Sequence, residues 1–496
     1  MTMINECESQ VCKATRALNV AFIVPPVIIE GEHPAERSSG CTRVVYPTPN
    51  IYELTVAAYV REQGHHVQYF DCVNSSITIS QLLEQLCDVD TCLLWTVNLS
   101  IKNDIQVSAL IHKVFPHMPV LFLGPGSTFY RKEVLCHTGN IVVRGEPEET
   151  VIELLQVLSH DYTSADLMQV LGLSFLDAEG VHHTGMRPLM SSLDHLPIAA
   201  RDLTHVDYRN AKLKKTPYTT MVTSRNCPFK CIYCVPSSLT FAREIEFREN
   251  YHRKPTISFQ SVEKVDQELH MLHDQGYKAI GFMDDNFIWT EERTLAICAS
   301  LRKYDMVWGC QARVDAITEP IARALSESNC GYVDLGVESF NDEILRYIHK
   351  GITSQQIYDA VSILKRYHVP VKLNILIGTS PLETEETIRN TVRQAKRLKV
   401  DQLMINIVSP FPGTEFYDMA LKNGWIDGGE YRPTDVQRNS ILNYPHLSSR
   451  QMEQLLFRSN ITYFLSPRFI FHHITKYRSL KEFYHSLKAL KIKLFG

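Results

Sequence analysis

The chain has 496 residues, enough for two or three domains that each bury a core. With 44% hydrophobic and 21% charged residues the composition excludes wholesale disorder, and a net charge of −4 gives no global pull toward nucleic acid. No run reaches the roughly 18 uninterrupted apolar residues of a membrane span, and the N-terminus, MTMINECESQVCKATRA, lacks a signal peptide's apolar core, so the expected compartment is the cytoplasm.

In chain order, Leu18 to Val24 reads as a buried strand stopped by Pro25 and Pro26. A helix follows from Ile51 to Glu62, with Ile51, Leu54, Ala57 and Ala58 on one face and Gly64 as its stop. The alternation continues with strands at His66–Phe70, Thr91–Val97, Val120–Leu123 and Ile141–Val143. Helices are expected at Ser80–Leu86, Ile105–Val114 and Val151–Leu158. This spacing predicts a doubly wound, Rossmann-like parallel sheet over residues 17–160, with helices on both faces. Residues 161–215 lack sustained periodicity and read as a short strand pair plus a connector.

From Tyr218 the alternation resumes on a larger scale, with strands at Tyr218–Val222, Ala279–Met283, Val307–Ala312, Tyr332–Gly336, Lys372–Ile377 and Gln402–Val408. Helical patterns lie between them, such as Val262, Val265, Leu269 and Leu272. Six such units over 216–433 fit a partial (β/α)6 TIM-like barrel better than an open sheet. Residues 434–496 are expected to be helical.

Ten of the thirteen cysteines (Cys7, Cys12, Cys41, Cys72, Cys87, Cys92, Cys136, Cys298, Cys310 and Cys330) are scattered and read as small buried hydrophobes. The other three share the segment Thr223-Ser-Arg-Asn-Cys-Pro-Phe-Lys-Cys-Ile-Tyr-Cys234, directly after the first barrel strand. Cys227, Cys231 and Cys234 can hold three irons of a cubane and leave the fourth open for an outside ligand. A structural zinc ion would want a fourth Cys or His in a two-plus-two spacing, and none is close.

At these residues the chain resembles the radical S-adenosylmethionine (SAM) superfamily, whose signature is CxxxCxxC on the loop after the first barrel strand. Asn226 stands where relatives usually carry Gly, a change Asn tolerates because it accepts a left-handed backbone. The resemblance implies a 4Fe-4S cluster on Cys227, Cys231 and Cys234, whose open iron chelates SAM. It further implies reductive cleavage of SAM to methionine and a 5′-deoxyadenosyl radical, with an external electron donor such as flavodoxin or ferredoxin. Gly281-Phe-Met-Asp-Asp-Asn-Phe287, Gln311 with Arg313, and Asp334-Leu-Gly-Val-Glu-Ser339 match the strand-end motifs. They make Asp284, Asp285, Gln311, Arg313, Glu338 and Ser339 the candidate SAM-side residues. A competing reading makes Asp284 and Asp285 caps of a helix beginning near Thr290. Arg313, pointing into a barrel, needs a partner, either the SAM carboxylate or Asp284.

The N-terminal half resembles the cobalamin-binding domain fused upstream of such barrels, through Tyr59-Val-Arg-Glu-Gln-Gly-His-His-Val67, Leu123-Gly-Pro-Gly-Ser-Thr128 and Arg144-Gly-Glu-Pro-Glu-Glu149. This implies cobalamin at the strands' carboxyl ends, with Gly124, Gly126 and Ser127 allowing close approach. The Asp-x-His-x-x-Gly motif of a lower axial histidine is absent, and His65 and His66 read as surface residues. The implied activity is a cobalamin-dependent methyltransferase acting on an unactivated carbon of a small molecule or lipid. The alternatives are a cyclase or rearrangement enzyme without net methyl transfer and, from another class, a non-catalytic cobalamin or redox sensor. No nucleic-acid partner is expected. Residues 466–496 carry seven basic residues interleaved with apolar ones, consistent either with peripheral membrane contact or with a helix packed on the barrel.

Overall fold

The computed structural model describes residues 16–39, 47–210, 212–467 and 469. Alternating apolar strands and helices from Leu18 onward place β1 (Asn19–Val24), β2 (His66–Asp71), β3 (Thr91–Trp95), β4 (Val120–Leu123) and β5 (Asn140–Val143) in one sheet. The order β2-β1-β3-β4-β5 is parallel throughout. Successive residues of each strand go to opposite faces. Phe22, Leu93, Trp95, Leu121 and Leu123 join one core, while Ile23, Cys92, Leu94, Val120 and Phe122 join another. Burial on both sides explains why β1, β3 and β4 are largely apolar runs, while the edge strand β2 alternates and is partly exposed.

The strand pair expected in the connector exists as β6 (Leu173–Asp177) and β7 (Gly180–His183), but it is not free-standing. β6 pairs antiparallel with β5, so the first sheet has seven strands and runs beyond residue 160. β6 returns to the edge of β5 only after two helices, and the pattern of a five-residue strand is too short to reveal its sheet.

The second sheet contains β8 (Tyr218–Met221), β11 (Ala279–Phe282), β12 (Val307–Arg313), β13 (Cys330–Glu338), β14 (Val371–Ile377) and β15 (Gln402–Ile407), all parallel and in that order. Two short strands, β9 (Ser224–Arg225) and β10 (Ser258–Phe259), form an antiparallel ribbon beside it. β8 and β15 are the two ends of the order, so the barrel is incomplete. Val371, Leu373, Ile375 and Ile377 are buried outward, whereas the alternate residues Lys372, Asn374 and Leu376 are half-buried. β15 repeats this pattern. The inward residues therefore line an open lumen. Of the region from 434 expected to be helical, residues 434–448 are instead turns tied by isolated bridges and only Ser449–Phe464 is a long helix, packed on β15; a shorter helix, Glu415–Lys422, precedes them.

The carboxyl ends of the two sheets face each other across a seam. Trp95, closing β3, donates its indole N–H to Ser238 Oγ at 3.0 Å. The Tyr52 hydroxyl reaches the carbonyl of Met283, just past β11, and Asn98 Nδ2 reaches the carbonyl of Pro412, past β15. No described helix is long and apolar enough to cross a membrane. Most of the basic C-terminal segment, residues 470–496, lies outside the described residues, as do Cys7, Cys12 and Cys41. Cys72, Cys92, Cys298, Cys310 and Cys330 are buried as expected; Cys87 and Cys136 are exposed, because each lies on a surface turn.

Glycines 124 and 126 serve this seam directly. A Cβ on Gly126 would lie 2.8 Å from the Val97 carbonyl carbon and 2.9 Å from its oxygen. One on Gly124, whose φ is +91°, would lie 2.5 Å from Thr96 O. The close approach these residues permit is to the protein's own Thr96–Val97 backbone. Replacing Gly126 by Ala should lower stability by about 1–3 kcal/mol, since backbone cannot yield as a side chain does. Gly185→Ala, which would meet only the flexible tip of Leu171 at 3.3 Å, should be near neutral. Denaturant midpoints of the two variants check this.

Candidate functional site: a cysteine loop at the barrel mouth

The loop begins where β8 ends. Ser224 and Arg225 are held in the ribbon opposite Phe259 and Ser258. Asn226 then turns the chain with φ +79°, the left-handed conformation expected of it. Its N–H donates to Thr240 Oγ1 at 3.1 Å, and its Nδ2 to the carbonyl of Thr256 at 2.5 Å. Farther on, Ile232 N–H donates to Ile348 O, and Ile232 O accepts from Phe416 N–H. The loop is thus pinned to three separate parts of the barrel.

Cys227, Cys231 and Cys234 are free and half-buried. Burial pushes the Cys227 thiol up to about 11 and that of Cys234 well above its ordinary value. Such thiols become ligands only when a bound cation offsets the cost of ionising them. Among the described residues no three His, Cys, Asp or Glu side chains are grouped to hold one metal ion. Three thiolates at this spacing match the three protein-bound irons of a cubane, in which each iron takes its own thiolate. The donor set fits an iron–sulfur cluster.

Arg225, two residues before the first cysteine, is buried in a network that spans both sheets. Its Nη1 donates to Glu146 Oε1 at 2.7 Å and its Nη2 to Glu148 Oε1 at 2.6 Å. Arg243 Nε lies 3.3 Å from Glu146 Oε1, and Glu146 Oε2 accepts from Met190 N–H at 2.8 Å. The four side chains are between 0% and 4% exposed. The Arg144–Glu149 motif of the first sheet is therefore a clamp on the cysteine loop.

The expected SAM-side residues divide by what they touch. Asp284 accepts from the N–H of Thr223 at 3.1 Å, from its hydroxyl at 2.8 Å and from the Ser224 hydroxyl at 2.5 Å. Burial raises its carboxyl to about 6 even so. Asp285 accepts from Ser237 N–H and Thr240 Oγ1, both at 2.6 Å, at the start of helix Ser238–Tyr251. Both carboxylates brace the segments flanking the cysteines. Neither caps the helix after Thr290, which caps itself through the Thr290 hydroxyl. Arg313 pairs with Asp315 at 2.8 Å, not with Asp284, and its guanidinium lies 3.5 Å over the Phe229 ring within the cysteine loop. A partner two residues away needs no folded barrel, which is why the local pair prevails.

Glu338, at φ +64°, accepts from the Lys350 ammonium at 2.8 Å, beneath Tyr233. Ser339 hydrogen-bonds Thr391 instead. Gln311 is exposed to the lumen. Ser127 N–H donates to Thr96 Oγ1 inside the seam wall. His65 is buried rather than on the surface; its Nδ1 accepts from Leu18 N–H at 3.1 Å, at the amino end of the sheet, away from the seam.

The radical SAM superfamily profile matches residues 221–395, covering the loop and the strand ends just described. An uncharacterized methyltransferase of Pyrococcus horikoshii is 31% identical over 91% of this chain and 94% of its own length. The chain belongs to the radical SAM superfamily, and it is an enzyme. An anaerobic magnesium-protoporphyrin IX monomethyl ester cyclase of Synechocystis is 24% identical over 75% of this radical SAM chain and 73% of its own. Two solved structures share the fold. OxsB, a cobalamin-dependent SAM radical enzyme solved with aqua-cobalamin and SAM, has TM-score 0.68 and 16% identity over 97% of this chain and 72% of its own. The methyltransferase TsrM of Kitasatospora setae, solved with cobalamin and a 4Fe-4S cluster, has TM-score 0.62 and 13% identity over 82% and 75%.

Sequence reasoning missed Arg225 as a site residue, although it stands inside the quoted motif. It also missed Lys254, whose ammonium is 3.0 Å from Glu244 beside the cysteines. A lone Lys in a polar stretch carries no signal of its own.

Two outcomes follow. Arg225→Met leaves Glu148 without a guanidinium and takes one of two from Glu146, and should cost about 3–5 kcal/mol, whereas a charge-keeping Lys should recover part of it; urea unfolding measures both. Glu53, buried under the seam, has its carboxyl raised by burial to about 8 although Tyr69 and Arg37 oppose the shift. The unfolded chain releases that proton near the ordinary carboxylate value while the fold keeps it until about pH 8. Glu53 therefore subtracts stability as pH rises from about 4.5 to 8. Glu53→Gln should flatten the decline in melting temperature over that window.

Proposed function

We propose that this enzyme is a cobalamin-dependent radical SAM methyltransferase acting on an unactivated carbon of a small molecule. The observation that carries the reading is the cysteine loop at the barrel mouth, directly opposite the carboxyl ends of the first sheet. In this reading Cys227, Cys231 and Cys234 hold a 4Fe-4S cluster, and cobalamin occupies the seam. Asn98 Oδ1 and Ser409 Oγ, on loops at the strand ends, are buried without hydrogen-bond partners, polar atoms that a bound cofactor would satisfy. Gly124, Gly126 and Ser127 act as the wall that sets the seam's width.

When bound, these groups supply a 5′-deoxyadenosyl radical from reductive SAM cleavage and a transferable methyl group on cobalt. The chain's own residues position and enclose. Asp284 and Asp285 fix both flanks of the cysteine loop. Phe229 and Tyr233 cover it with aromatic surface, Phe229 itself held under the Arg313 guanidinium. Lys350 places an ammonium against Glu338 and near Cys231, offsetting negative charge at the loop. His65 is occupied at the amino end of the first sheet, away from the seam, and is not among the residues that would hold cobalamin.

The Synechocystis cyclase relative favours one second reading, radical cyclisation without net methyl transfer on the same cofactors. A non-catalytic sensor has no support from an enzyme superfamily.

Anaerobically reconstituted enzyme should cleave SAM reductively, and the triple variant with Ala at 227, 231 and 234 should lose both the brown cluster absorption and 5′-deoxyadenosine formation. Retained cleavage would remove the central claim. Quantifying methylated product against 5′-deoxyadenosine separates methylation from cyclisation. The cob(II)alamin form of the full-length protein should show no nitrogen hyperfine splitting from a protein ligand in its spin-resonance spectrum.

A further inference from the structure

The lumen has a floor whose charged residues, Lys212, Asp334 and Lys372, take no part in the proposed cofactor contacts. Strand register puts Gln311, Asp334, Lys372 and Gln402 side by side across β12, β13, β14 and β15, all on inward-facing positions. From the segment before β8, Lys212 adds its ammonium to the same layer. Lys212 Nζ and Lys372 Nζ both donate to one oxygen of Asp334, Oδ2, at 2.8 and 2.9 Å. Lys212 also sits 3.5 Å over the Tyr332 ring. The other oxygen, Asp334 Oδ1, is buried with no hydrogen-bond partner.

Two ammonium charges against one carboxylate leave one positive charge within a layer whose ionic side chains are 9% to 20% exposed. An isolated structural pair would need only one lysine, and uncompensated buried charge is costly. Each ammonium has three donors and makes one hydrogen bond here, so donors remain for a ligand. The single excess charge matches a carboxylate. A phosphate dianion would overshoot it and face the orphan oxygen of Asp334, which wants a donor instead. Burial lowers Lys212 to about 8, the direction relieved when an anion binds beside it.

We infer that this layer anchors the substrate, and that the substrate is a small polar molecule bearing a carboxylate with a hydroxyl or amino donor next to it. The inference rests on the radical SAM reading and names the substrate class of that site. The carboxylate lies between Lys212 and Lys372, and its neighbouring donor satisfies Asp334 Oδ1. Glu338, beside the cysteine loop, lies four residues farther along β13, about 13 Å at the usual rise per residue. The anchored molecule therefore points its remaining carbons toward the cofactors. The half-buried polar side chains Asn374 and Asn406 along that path suit such a molecule better than a lipid chain.

The test uses full-length, cluster-loaded protein and a panel of hydroxy- and amino-carboxylates of three to eight carbons, each beside its carboxamide, with binding read by calorimetry. Acids should bind in preference to their amides. Lys372→Met should weaken that binding at least tenfold and Lys372→Arg should retain it, with melting curves confirming that both variants fold. If Lys372→Met does not fold, Lys212→Met takes its place. Equal binding of acids and amides, no binding of any acid, or acid binding indifferent to Lys372→Met would overturn the inference. Iron content and the SAM-induced spectral change of the unmutated enzyme report on the cluster separately. A loaded, SAM-responsive enzyme that ignores carboxylates rejects only the floor, whereas loss of cluster and SAM response rejects the reading beneath it.

Discussion

The buried contact of Arg225 with Glu146 and Glu148 ties the two sheets to one chemistry. Its three charged groups leave water only together, since each alone would be stranded in a low-dielectric interior. Arg225 lies two residues before Cys227, and the two glutamates follow β5, so the cost of separating them fixes the cysteine loop against the first sheet. Arg243 adds a second guanidinium to Glu146, and Met190 N–H holds that carboxylate's other oxygen. The hydrophobic core reinforces the arrangement, because one face of the first sheet and the barrel belong to a single apolar cluster.

That rigidity matters because radical chemistry depends on position. A reactive species must meet one atom of its target, and misplacement of an ångström is costly. The structure shows a loop braced on every side: Asp284 below, Asp285 at its exit, Ile232 hydrogen-bonded to two distant segments, and Phe229 under Arg313. Several residues that resemble cofactor contacts thus spend their hydrogen bonds on the scaffold that would hold the cofactors. The wall containing Gly124 and Gly126 follows the same logic, with small residues chosen for contact between backbones.

The lumen contrasts with this. Its outer shell is Val, Leu and Ile, while its inner face carries Lys372, Asn374 and Asn406 on the same strands. Period-two alternation separates a stabilising face from a recognising face within each strand. The first holds the barrel to its helices, and the second is the face on which the proposed substrate would lie.

Much of this was legible in the chain itself. Helix Ile51–Glu62 and strand Val120–Leu123 have the bounds that their apolar patterns predict, because local periodicity and Gly or Pro stops act over a few residues. The Cys227, Cys231 and Cys234 spacing is equally local, as is the left-handed turn at Asn226. What tertiary structure alone decided is pairing across long separations: β6 on β5, Arg225 on Glu146 some 79 residues away, and Lys212 and Lys372 on Asp334 from 122 and 38 residues away. A single charged residue has no period to betray its partner. Only the folded sheets, by removing these groups from water, determine which charges must meet.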